Sequence, residues 1–87
     1  MTDSPRVERL RAALEQALHP TLLEIRDDSA KHIGHAGARE GGHFHVIIAA
    51  AVFNGASQVQ RHRMVYAAAA ALLGKDIHAL SIDARPT

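Results

Sequence analysis

A chain of 87 residues, 47% of them apolar, is long enough to fold around one modest core and too short to enclose a deep active site, so a single domain over 1–87 is expected. A net charge of +1 and an aromatic content of 3% argue against a broad basic surface and against an aromatic platform for stacking single-stranded bases. With no cysteine the chain makes no disulfide and no thiolate metal site of its own; no apolar run is long enough to span a bilayer and no signal segment stands out, so no membrane partner and a cytoplasmic location are the default expectations.

Ser4-Pro5 reads as an N-cap followed by proline at the first helical position. Val7, Leu10, Leu14, Ala17 and Leu18 then recur at helical spacing until His19-Pro20, which predicts a helix over 5–18. Thr21 to Asp27, with Leu22, Leu23 and Ile25, reads as a first strand. Residues 29–42 contain four glycines and no periodicity, and predict a long flexible loop. His43 to Val52 is the clearest strand, with Phe44, Val46 and Ile48 on one face and His43 and His45 on the other. Phe53-Asn54-Gly55-Ala56 is a turn, and Ser57-Gln58-Val59-Gln60 has capping-box spacing. Met64, Val65, Ala68, Ala69, Leu72 and Leu73 carry the second helical region, as one helix or two, towards Gly74, a C-cap glycine. Ile77 to Asp83 is a third strand, with Arg85-Pro86-Thr87 as a frayed tail.

The order α-β-β-α(α)-β pairs strands 1 and 2 antiparallel and strands 2 and 3 in parallel, through a right-handed crossover, with helices on one face of a three-stranded mixed sheet. That topology gathers the end of strand 1 and the starts of strands 2 and 3 at one edge. His32 and His35 in the loop, His43 and His78 are therefore expected near one another. The chain is rich in histidine, with seven, four of them within fourteen positions. Imidazoles converging without carboxylates or thiolates suggest metal ligands. Spacing leaves the ordinary alternatives open: His32 and His35 as solvated loop residues, His43 hydrogen-bonded to the loop, His45 on the surface, His19 against the helix dipole. His78 has the parity of the inward Leu80 and Ile82, yet sits at the strand's beginning, where it still reaches solvent.

No Ser-His-Asp order, zinc-protease helix, phosphate-binding loop or dinucleotide fingerprint occurs, and Asp27 and Asp28 are adjacent and so point to opposite faces of a strand; catalysis is not expected. Arg61-His62-Arg63 near a helix start opposes the macrodipole, so it reads either as an anion or nucleic-acid contact or as a solvated face. Gly34-His35-Ala36-Gly37 matches a G-x-x-G string, but it falls between strands rather than between helices.

Nearly the whole chain resembles the BolA family. The resemblance is carried by Asp28-Ser29-Ala30-Lys31-His32-Ile33-Gly34-His35, Gly42-His43-Phe44-His45-Val46, Phe53-Asn54-Gly55, Gln60-Arg61-His62-Arg63-Met64-Val65-Tyr66 and Ile77-His78-Ala79-Leu80-Ser81-Ile82. It implies an α+β, class II KH-like fold of order α-β-β-α-α-β. It also implies partnership with a monothiol glutaredoxin, the two chains sharing a 2Fe-2S cluster. The glutaredoxin supplies a cysteine and bound glutathione a thiolate; this chain supplies His78 and a loop histidine, His32 by its Ser-x-x-His spacing or His35. No cofactor is expected on the isolated chain, and a labile cluster used in transfer or sensing is. The family also implies, as the alternative, a DNA-binding transcriptional regulator of morphology and stress response, reading through a helix-turn-helix-like segment with Arg61, His62 and Arg63. A homodimer stays open.

Overall fold

The computed structural model describes residues 4–28 and 42–87. Helix α1 spans Pro5–Leu18, started by the Ser4 hydroxyl, which accepts from the Val7 N–H at 3.3 Å. It ends in His19, whose left-handed backbone (φ 49°) returns its N–H to the Glu15 carbonyl at 3.1 Å. That conformation is uncommon outside glycine, and histidine is among the residues that adopt it more readily. Strand β1 (Leu22–Asp27) follows, then β2 (Gly42–Ala49), helix α2 (Gln58–Ala68) and β3 (Ile77–Arg85). The sheet order is β1-β2-β3, antiparallel then parallel, as the sequence predicts.

One face of the sheet carries the core. Val7, Leu10, Leu14 and Leu18 of α1 and Val65 of α2 close over Phe44, Val46 and Ile48, with Leu23, Ile25, Leu80 and Ile82 packed at the margins. The alternation read from β2 holds: Phe44, Val46 and Ile48 are buried while His43 and His45 are half-exposed. The capping box of α2 is present in full, with Gln60 N–H donating to Ser57 Oγ and Ser57 N–H to Gln60 Oε1.

Several boundaries differ from expectation. Gly42 belongs to β2 rather than to the loop: it is buried, pairs with Ile77 and donates its N–H to the Asp76 carbonyl at 2.9 Å. The rest of the expected loop, residues 29–41, lies outside the described residues. Strand β2 stops at Ala49 because Ala51–Phe53 winds into a 3-10 turn that swings Phe53 wholly into the core and leaves Val52 exposed. The second helical region is one α-helix followed by a 3-10 turn, Ala70–Leu72. Gly74 serves not as the α-helical cap but in the turn beyond, at φ 82°, its N–H bonded to the Ile77 carbonyl at 2.9 Å. The expected frayed tail is partly structured: Arg85 closes β3 against Ala49, and the Thr87 N–H donates to Asn54 Oδ1 at 2.9 Å.

Leu10 is fully buried where α1 meets the sheet side of the core. Leu10→Ala should cost about 2–5 kcal/mol, read as a lower urea midpoint with an unchanged slope.

Candidate functional site

The histidine edge is shaped by an irregularity in β3. Gly42 pairs with Ile77, but the next residue of β2, His43, pairs with Ala79, so His78 has no partner across the ladder. Two residues of one strand thus oppose one of the other, which is a β-bulge. Its cause lies in the apolar pattern. Ile77 is fully buried, and Leu80, Ile82 and Ala84 also turn to the core side. Strict alternation would place Ile77 and Leu80 on opposite faces. The extra residue resets the alternation, Ile77 and Ala84 are buried with Leu80 and Ile82 partly buried against the core, and His78 is exposed. The parity expected for His78, shared with Leu80 and Ile82, is therefore broken by the bulge.

His43 stands on the sheet face away from the helices, half-buried, and its ring centre lies 5.1 Å from that of His78, the planes tilted by 40°. Topology thus brings together two of the four histidines expected at this edge; His32 and His35 lie outside the described residues. The backbone beneath the pair is fastened on several sides. Asp28 N–H donates to the His43 carbonyl at 2.7 Å, and the Gly42 and Gly74 N–H groups bond the carbonyls of Asp76 and Ile77. From α1, the Arg9 guanidinium grips the Asp76 carboxylate with two bonds of 2.7 Å. This ion pair joins residues 67 positions apart, and no local pattern announces it. An open cavity of about 180 Å³ adjoins the edge, lined by Asp28, His43, Phe44, Ala79, Leu80 and Ser81. Further along the same face His45 Nδ1 meets Ser81 Oγ at 2.9 Å, a local contact well suited to a surface histidine.

Among the described residues no group of three or more His, Cys, Asp and Glu is arranged to hold a metal ion. The described part of the edge therefore offers two imidazoles and leaves the rest of any coordination sphere to other donors.

The basic run resolves into different roles. Arg61 is half-buried, donating from Nε to the Ala56 carbonyl at 3.0 Å and from Nη1 to the Ala84 carbonyl at 3.2 Å. It ties the start of α2 to the end of β3, a structural reason for a cation near a helix start that sequence reasoning did not supply. Tyr66 adds a second tie, its hydroxyl donating to the Leu80 carbonyl at 3.1 Å. Together the two side chains cover carbonyls of an edge strand that would otherwise invite pairing. His62 is half-buried beside a cavity of about 340 Å³ bounded by Gln58, Arg61, Asp83 and Arg85, and Arg63 is exposed.

The hydrogen bonds from Arg9, reinforced by its charge, hold the Asp76 carboxyl below the usual carboxylate range. A carboxyl with a depressed native pKa stabilises the fold above its unfolded pKa, and that contribution is lost as the pH falls through the native value. Asp76→Asn should therefore flatten the acid side of a stability-against-pH curve measured by urea unfolding below about pH 4. Asp83, held down in the same way by Arg85, should keep part of the slope in the variant.

Residues 14–87 match the family described as BolA-like protein. Human BolA-like protein 1 is 45% identical over 76 residues, covering 87% of this chain and 54% of the human protein. The chain thus spans about half the length of that relative. The DNA-binding transcriptional regulator BolA of Escherichia coli is 36% identical over 75 residues, covering 86% of this chain and 70% of the relative. Among solved structures, the BolA domain of SufE1 from Arabidopsis thaliana superposes with a TM-score of 0.85 at 40% identity, covering 98% of this chain and 95% of that one. With the same helices and three-stranded mixed sheet, and sequence similarity running from the middle of α1 past the end of β3, the chain belongs to the BolA-like protein family.

Proposed function

We propose that this chain works as a binding partner rather than an enzyme, lending histidine ligands to a 2Fe-2S cluster that it shares with a monothiol glutaredoxin. The observation that carries this reading is the bulge, which turns His78 to solvent at a rim where His43 also stands. Such clusters are held mostly by cysteine thiolates, with paired histidines on one iron as the known substitution. A chain without cysteine suits the histidine half of such a site and needs thiolates from elsewhere. His78 is the first ligand in this reading, and His32 or His35 from the segment between β1 and β2 is the second. The cluster would supply a redox-active, transferable iron–sulfur unit; the chain's own part is to present imidazoles on a fixed backbone. A neutral imidazole holds iron less strongly than an anionic thiolate, which favours release over permanent retention.

Mixing the chain with cluster-loaded monothiol glutaredoxin should change the visible circular dichroism of the cluster, reaching a plateau near equimolar chain. His78→Ala should remove most of that change while keeping the far-ultraviolet spectrum of the fold, since this side chain is exposed. An unaltered cluster spectrum at excess wild-type chain would refute the reading.

A second reading, sequence-specific DNA binding, is favoured by the name of the E. coli relative and by the exposed Arg63 on α2. Near-neutral charge supports only salt-sensitive binding. Arg63→Ala should then weaken a gel shift at moderate salt without loss of thermal stability. Arg61→Ala, which cuts the tie between α2 and β3, should lower stability as well and so reports less cleanly.

A further inference from the structure

The geometry points to a second use of the same rim: His43 and His78 form a two-imidazole chelate for a single tetrahedral first-row divalent cation, bound by this chain without a partner. Zinc is the natural occupant. Imidazole nitrogens lie about 2.0–2.1 Å from zinc, with each ring centre roughly 1.1 Å beyond its nitrogen, so two rings on one tetrahedral ion stand about 5.2 Å apart between centres. The corresponding value for neighbouring positions of an octahedral ion is about 4.5 Å. The observed 5.1 Å agrees with the tetrahedral value.

Ring centres also lie at such distances where aromatic side chains simply pack. Three features of this pair favour chelation. Both rings reach solvent, so packing gains little from them. His78 is the unpaired residue of a bulge, a device that re-aims a side chain. Both backbones are immobilised, His43 by Asp28 N–H on its carbonyl and the approach to His78 by the Gly42, Gly74 and Arg9 contacts around Ile77 and Asp76. Little backbone freedom is left to lose when an ion arrives, which favours a two-point site. The described residues provide no third ligand. The remaining two positions then fall to water or to donors brought by another molecule.

This inference does not rest on the shared-cluster reading, because it concerns the chain alone. The test is a titration of the full chain with Co(II), a spectroscopic stand-in for zinc, followed by displacement with Zn(II). One equivalent should produce the intense visible bands of tetrahedral cobalt, and zinc should abolish them. His43→Ala and His78→Ala should each weaken Co(II) binding by roughly tenfold or more, since either one breaks the chelate. His45→Ala, whose ring nitrogen meets Ser81 Oγ further along the face, should bind like the parent. Far-ultraviolet circular dichroism checks that each variant folds, and His43→Gln, closer in shape, serves if the alanine variant does not. The inference is overturned if the bands are weak and octahedral in type, or if loss of His43 leaves affinity unchanged. Any of these results leaves the glutaredoxin experiment independent, because that experiment follows an iron–sulfur chromophore delivered by the partner.

Discussion

Ile77 and Leu80 both turn to the core beneath the helices, yet they lie three residues apart in one strand. A regular strand would turn one of them outward. Exposing either would cost on the order of 2 kcal/mol of apolar burial, a large fraction of what a domain of this size has to spare. The extra residue at 78 relieves the conflict at the expense of one break in the β2–β3 ladder. The meeting of two imidazoles at this edge follows, because the residue excluded from the ladder is a histidine and the neighbouring strand carries another at its second position.

A break at the start of an edge strand would fray unless held. Here the holding is distributed. Gly42, with no side chain, is buried and pairs with Ile77. Gly74 supplies the left-handed turn that carries the chain from the second helical region into β3. Arg9 reaches from α1 to Asp76 and joins the first helix to the strand's entry. At the other end Arg61 and Tyr66 fasten α2 along the same strand. β3 is thus an edge strand tied by side chains from both helices, so its exposed imidazole is displayed on a firm support.

The two faces of the sheet divide the work. The helix-covered face supplies stability through Phe44, Val46, Ile48 and the α1 leucines. The open face carries His43, His45 and Ser81, half-buried or exposed. At its edge His43 meets His78, and in the proposed reading these imidazoles leave the rest of a coordination sphere to donors from another molecule.

The amino-acid sequence by itself determined the elements whose signals are local. Ser4-Pro5 and His19-Pro20 bracket α1, Ser57 and Gln60 begin α2, and the alternation of Phe44, Val46 and Ile48 with His43 and His45 marks β2 and its inward face. Element order then dictates the strand pairing, and through it the meeting of His43 with His78. Only the tertiary structure decided the rest. Whether His78 faces in or out depends on how β3 registers against β2, and the apolar pattern of β3 is consistent with either parity until the bulge is placed. The end of β2 depends on Phe53 finding space in the core, which outweighs the strand preference of Val52. Arg9 with Asp76, and Arg61 with the carbonyls of Ala56 and Ala84, join groups that only the folded chain brings within reach, because ion pairs and side-chain caps over such separations leave no periodic trace in a sequence.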